Sequence, residues 1–235
     1  MLTLEGVVKH YPAIGAKPVR AVDGVSLEIQ AGELLALYGP SGSGKSTLLL
    51  LIAALMRPDA GSIHFDGRDI SELSARDAAR YRMHDVGVVR QSVELVAGLS
   101  ALDNAALKLA GNRIRIRDAE RGVGPLLERL GLGDRFKHRE HELSMGERQR
   151  VMIARALSTN PRLVLADEPT GSLDTRQGRA VLELLADICR ERQTGMLLVT
   201  HDPQAADVAD SVMELRDGRL GMYEPGLGRT ERVGL

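Results

Sequence analysis

Residues Gly39-Pro40-Ser41-Gly42-Ser43-Gly44-Lys45-Ser46-Thr47 have types and a spacing suited to holding phosphate groups. The pattern is G-x-x-x-x-G-K-S, after the apolar run Leu34 to Tyr38 and before the apolar, helix-like run Leu48 to Met56. A phosphate-binding loop needs this strand–loop–helix setting. Its glycines let the backbone curl so that N–H groups point inward, and the helix that follows adds its positive N-terminal end. Lys45 is expected to reach the outer phosphates, and Ser46 to offer a hydroxyl to Mg²⁺.

A second group of residues suits the chemistry that follows binding. Asp167 and Glu168 end the apolar run Leu163 to Ala166. An acid at a strand end beside a phosphate loop suits Mg²⁺, and its neighbour can take a proton from an attacking water. His201 follows Leu197 to Thr200, where it can donate to a phosphate oxygen or orient water. Gln91 follows the short apolar stretch Val86 to Val89, and its amide can sense Mg²⁺ or the attacking water. Tyr11, between two strand-like segments, is a candidate for stacking on a base from an exposed loop. Taken singly, Tyr11, Gln91 and His201 have ordinary structural explanations.

The elements around these residues are legible from periodicity. Leu2, Leu4 and Val7, then the alternating Val25, Leu27 and Ile29, predict strands, and Ile63 to Phe65 with Asp66-Gly67 predicts a strand and tight turn. Ser74-x-x-Asp77 predicts a capped helix to about Met83. From Ser92 the pattern turns helical: Leu102 to Ala110, Asp118 to Leu130 interrupted over Gly122 to Pro125, and a long helix opening at Leu143-Ser144-Met145-Gly146-Glu147. Val181, Leu184, Leu185 and Ile188 mark a further amphipathic helix, and Asp217-Gly218 the tip of a hairpin. The expected fold is α/β: a P-loop NTPase core with a mostly parallel sheet, an N-terminal antiparallel β subdomain, and a helical subdomain inserted at about 92–158. Residues 1–220 make the domain, and 221–235, rich in Gly and Arg without periodicity, are expected to be a mobile tail. In such a sheet, ligands sit at the C-terminal ends of the strands, where the loop, Gln91, Asp167 and His201 all fall.

Composition narrows the setting. The 235 residues suffice for one large core. A net charge of -1 argues against non-specific nucleic-acid binding. Cys189 is the only cysteine, so no intramolecular disulfide forms and a reducing compartment is expected. No signal-like segment opens the chain, and its longest apolar run, Leu48 to Met56, is too short to span a bilayer. Any membrane role is expected to come through a partner.

In order along the chain, these motifs resemble those of the ATPase subunits of ATP-binding cassette (ABC) transporters. Tyr11 matches the aromatic stacking position, Gly39 to Thr47 the phosphate loop, Gln91 the glutamine loop and Leu143 to Glu147 the signature. Asp167-Glu168 matches the acidic strand end, Gly171 to Asp174 the loop across the dimer, and His201 the switch histidine. The run Leu165 to Asp174 and the segment Gly146 to Arg150 are similar to the lipoprotein-releasing, macrolide-export and cell-division branch.

The resemblance implies an ATPase that uses ATP and Mg²⁺, with Glu168 as base, and Asp167, Ser46 and Gln91 on the metal side. It implies a second ATPase subunit, identical or not, packed head to tail, so that Ser144 and the Gly146 N–H of one chain face the ATP held by the other. It also implies a separate transmembrane permease, docked around Ser92 to Leu99, with the ATPase peripheral on the cytoplasmic face of the membrane. The alternative is an ATP-gated regulatory module acting through a membrane partner in a process such as cell division. Two residues depart from the family pattern. Met145 stands where the signature usually has glycine, and Arg90 where an aromatic or small apolar residue usually precedes the glutamine.

Overall fold

The computed structural model describes residues 1–12, 18–112, 114–171, 173–201, 205 and 207–223. Strands β1 (Leu2–Tyr11), β2 (Val19–Ile29), β4 (Ala60–Phe65) and β5 (Arg68–Asp69) form an antiparallel sheet in the order β2-β1-β4-β5. Strands β3 (Leu34–Tyr38), β6 (Val86–Val89), β7 (Leu163–Asp167), β8 (Gly195–Thr200), β9 (Ser211–Arg216) and β10 (Arg219–Met222) form the second sheet, ordered β10-β9-β3-β8-β7-β6. All its pairings are parallel except the β9–β10 hairpin.

The parallel strands are apolar at nearly every position because both faces are covered. Leu34, Val164, Ala166, Met196 and Leu198 enter one hydrophobic core, while Leu35, Leu37, Leu163, Leu165, Leu197 and Val199 enter the other. The second core also takes the antiparallel sheet and helix α1 (Lys45–Ile52). The first takes helices α3 (Ala101–Ala110), α4 (Ile116–Arg129), α5 (Met145–Leu157) and α6 (Thr175–Glu191). Helix α2 (Ala75–His84) buries Ala78 and Tyr81.

The helix starts follow their capping residues. The Ser74, Ser100 and Ser144 hydroxyls accept from the N–H groups of Asp77, Asp103 and Glu147, and Asp174 accepts from Gln177 N. Three expectations need correction. Helix α4 is not interrupted at Gly122 to Pro125. Pro125 faces solvent, where water can satisfy the carbonyl it leaves free, and the buried stripe Val123, Leu126 and Leu127 holds the turn. Helix α1 covers only the first part of the run Leu48 to Met56, because Ala54 adopts a left-handed φ of 49° and stops it. The final strand extends to Met222, inside the expected tail, and residues 224–235 of that tail lie outside the described residues. Among the described residues, no helix is long and apolar enough to cross a membrane.

Two polar networks lock the helical region to its surroundings. Asn104 in α3 is fully buried, takes Val96 N at 2.7 Å and donates to the carbonyls of Val96, Leu99 and Ser100. From α5, Arg155 donates to the Asn104 backbone and side-chain oxygens and to Glu94 O. The segment after Gln91 is thereby tied to the helix that begins at Met145.

At the other end of α5, Glu147 accepts from Ser144 N and from Arg135 Nε, both at 2.8 Å. The Arg135 guanidinium, then the Ser144 N–H, hold its carboxyl down at about 2, from an ordinary 4.5. A depressed folded-state value means the stabilisation is complete above about pH 4.5 and is lost as pH falls toward 2. Glu147→Gln should therefore lower stability by about 1–2 kcal/mol at pH 7. The gap between variant and parent in thermal unfolding should close when both are measured near pH 2.

Candidate functional site

The four parallel strands β3, β8, β7 and β6 are neighbours and run the same way, so their C-terminal ends share one edge of the sheet. The phosphate-type loop leaves β3. His201 follows β8, Asp167 ends β7 with Glu168 after it, and Gln91 follows β6. These residues line a single cavity of about 760 Å³ with Tyr11, Ser41 to Thr47, Val19 and Ala21.

Close backbone approach explains the glycines of the loop. Gly44 caps α1 with a φ of 107°, and a Cβ there would run into the Ala21 carbonyl. A Cβ on Gly39 would strike the Leu215 carbonyl. Lys45 turns back onto its own loop, donating to Gly39 O at 2.6 Å and Pro40 O at 2.9 Å. Burial pushes its ammonium below the usual lysine range, against the opposing pull of Glu168 and Asp167. The Ser43 hydroxyl is buried and unpartnered among the described residues.

The acidic pair is divided by environment. Burial raises the Asp167 carboxyl and the Glu168 charge adds to this, while Lys45, Arg90 and the Ser46 side chain oppose it. Glu168 accepts a bond of 2.7 Å from His201 Nδ1 or donates it, according to the imidazole tautomer. The Glu168 backbone has a left-handed φ of 45°, a strained conformation for a residue of this type and one associated with functional sites. The Gln91 amide and the Glu168 carboxylate both approach Gly171, each within 3.5 Å of where its Cβ would lie.

Tyr11 is the last residue of β1, half-buried, and does not sit on the exposed loop expected of it. Its hydroxyl contacts Met56 Sδ at 3.2 Å and Thr47 Oγ1 at 3.5 Å, because strand β1 continues to the mouth of the site. Sequence reasoning missed Val19 and Ala21. The signal for Val19 was the antiparallel register, which pairs it directly with Tyr11. Ser144 and Gly146 do not join this cavity. They line a separate one of about 380 Å³ between α5 and α6, with Glu147, Arg150 and Gln177. Met145 is the first residue of α5 and is 46% exposed. Ser172, in the loop between the acidic pair and α6, lies outside the described residues.

The donors around Ser46 fit Mg²⁺. A hydroxyl, a carboxylate and an amide oxygen are hard ligands, few in number, as expected where substrate phosphates and water complete the shell. Among the described residues, no cluster of three or more His, Cys, Asp or Glu side chains offers a fully protein-made metal site.

Comparison with known proteins identifies the family of the chain. A family model described as "ABC transporter" matches residues 22–171. The chain is 41% identical over 225 residues to "Lipoprotein-releasing system ATP-binding protein LolD 2" of Chlorobaculum tepidum, covering 94% of this chain and 91% of that one. Its identity to the protein of the same name from Caulobacter vibrioides is 44% over 221 residues, covering 94% and 96%. It is 42% identical to "Macrolide export ATP-binding/permease protein MacB 1/2" of Paracoccus denitrificans, of which it spans 33%. The branch expected from the run Leu165 to Asp174 is the one these names describe. Among solved structures, the dimeric cassette MJ0796 superposes with a TM-score of 0.85 at 34% identity, covering 95% of this chain and 99% of that one. The same cassette, bound to ADP and Pi in a post-hydrolysis dimer, gives 0.84 at 33% identity with the same coverage. The chain belongs to the ABC transporter family, as one of its ATP-binding ATPases.

Proposed function

We propose that this ATPase dimerises around ATP and drives a separate transmembrane permease from the cytoplasmic face of the membrane. The observation that carries the reading is the division of the site. The loop, Asp167, Glu168, His201 and Gln91 share one cavity, whereas Ser144 and Gly146 line another. Within one chain the signature therefore has no phosphate to act on, and a second chain packed head to tail supplies one. The dimeric state of the similar cassette supports this.

In the proposed mechanism Tyr11 and Val19 face the base, and the N–H groups of residues 41 to 47 cradle the phosphates. Lys45 exchanges the carbonyls of Gly39 and Pro40 for phosphate oxygens, a charge-assisted contact stronger than the neutral one it replaces. Ser46, Asp167 and Gln91 would hold Mg²⁺, which would supply neutralisation of phosphate charge. Glu168 takes the proton of the attacking water. His201 either holds the Glu168 carboxylate through its Nδ1–H, as here, or leaves it to donate toward the transferred phosphoryl group. Closure brings the partner's signature onto that group, and opening follows hydrolysis. The segment Ser92 to Leu99 is the proposed permease contact, and its ties to Asn104 and Arg155 would carry movement there to the signature helix. The names of the lipoprotein-releasing relatives support a transport role.

Three variants test this reading. Lys45→Ala removes a charge-assisted contact of roughly 1.5–3 kcal/mol, so ATP affinity in a calorimetric titration should fall at least about tenfold. Glu168→Gln should cut turnover by about 10²–10⁴-fold while ATP still binds, and an ATP-trapped dimer should accumulate on a sizing column. Near-normal turnover would remove Glu168 from the role of base. Met145→Gly spares the ordering of an exposed flexible side chain on closure, worth up to about 1.5–2 kcal/mol. The isolated protein's ATPase rate should rise several-fold, and a fall would mean that Met145 packs usefully in the closed dimer.

A further inference from the structure

Asp23 in β2 is where three parts of the chain meet. Its backbone N–H donates to Gly218 O at the β9–β10 tip, at 2.8 Å. The Gly218 N–H donates in turn to the Ser43 carbonyl inside the phosphate loop, at 3.1 Å. The Asp23 carboxylate accepts from Arg219 Nε and Nη2, both at 3.1 Å, and faces Arg20 at 3.4 Å. It also meets His10 Nε2 at 3.3 Å, and His10 is the residue before Tyr11.

The hairpin tip is well suited to act as a prop. Asp217 and Gly218 have φ values of 50° and 77°, the paired left-handed conformation of a tight two-residue turn. No room is left around it. A Cβ on Gly218 would strike the Arg20 carbonyl, as one on Gly44 would strike that of Ala21. The phosphate loop is thus wedged between β2 and the hairpin. The Asp23 side chain is 16% exposed, whereas Arg219 is 70% exposed. An ion pair with so exposed a partner adds little stability by itself. Its consequence is geometric, because the same carboxylate holds the strand end that carries Tyr11.

We propose that Asp23 is a positioning residue for the nucleotide: its carboxylate latches the end of β1 to the hairpin that props the phosphate loop, and so sets the spacing between base and phosphate contacts. This rests on Tyr11 as the base contact. Loosening the latch should weaken the base contact and leave phosphate binding alone, whereas a purely structural role would affect both ends or neither.

The test is calorimetric titration of ATP and of inorganic tripolyphosphate into Asp23→Asn and Arg219→Ala, each made in the parent and in Tyr11→Ala. Thermal unfolding serves as the check on folding, and Arg219, exposed on a hairpin, can be truncated without opening a core. Each variant is expected to raise the Kd for ATP roughly three- to tenfold in the parent. The Kd for tripolyphosphate should stay within about twofold, and in the Tyr11→Ala background neither variant should add a further loss. Equal weakening of both ligands, or losses that add to that of Tyr11→Ala, would overturn the proposal. If Tyr11→Ala weakens ATP binding while Asp23→Asn and Arg219→Ala do not, the latch alone is wrong. If Tyr11→Ala leaves ATP binding unchanged, the base assignment fails and takes the latch with it.

Discussion

The parallel pairing of β3, β8, β7 and β6 is the constraint on which the rest of the structure depends. Parallel strands cannot be joined by tight turns, so each must be reached through a helical crossover, and both sheet faces are then covered. Side chains alternate between two cores, which gives nearly every interior strand position to an apolar residue. Polar chemistry is left to the strand ends. Because the four strands are adjacent and parallel, residues more than a hundred positions apart in the chain, such as Lys45 and His201, come to line one cavity. The site is a consequence of the sheet's polarity as much as of its residues.

Within that cavity the charges are held in a strained balance. Asp167 is half-buried beside a second carboxylate, and burial raises its proton affinity. Lys45 and Arg90 are the nearby cations, yet the Lys45 ammonium is spent on the carbonyls of Gly39 and Pro40. A phosphate chain with a divalent cation would correct both conditions at once. It would give the ammonium an anionic partner and the carboxylates a cationic one. The left-handed Glu168 backbone fits the same view, since strain of this kind persists only where the surroundings hold it.

The residues that could be read from sequence were those whose chemistry is local. The phosphate loop is a continuous stretch, and its glycines declare themselves. Asp167 and Glu168 follow a buried strand and announce a strand end. The helix cap at Ser74 also depends on a neighbour three residues away, Asp77. Gln91, His201 and Tyr11 are ordinary residues taken singly, and only their order along the chain, matched to a family, gave them roles. Val19, Ala21 and Asp23 were missed because their place depends on the β1–β2 register, which contains shifts between Leu4 and Val7, Val7 and Val8, and Lys9 and His10. No periodicity in the sequence carries such bulges. The uninterrupted α4 was missed for the opposite reason. Gly122, Gly124 and Pro125 disfavour a helix locally, and the buried face of Val123, Leu126 and Leu127 outweighs them.

The division of labour in the proposed assembly follows from where rigidity lies. The phosphate loop is wedged by glycine contacts against β2 and the hairpin, and it has little freedom to move. The signature helix is held differently, through Arg155 and Asn104 to the segment after Gln91, and through Glu147 to Arg135. Those ties are polar and reach the surface, where a second protein can pull on them. A fixed half that binds ATP and a tethered half that would complete a neighbour's site would make nucleotide occupancy and partner position two sides of one equilibrium. Whatever favours closure must tighten ATP binding by the same factor, because linkage is reciprocal. A permease resting on Ser92 to Leu99 would then regulate hydrolysis without touching the reacting atoms, by setting how often the signature of one chain reaches the phosphate of the other.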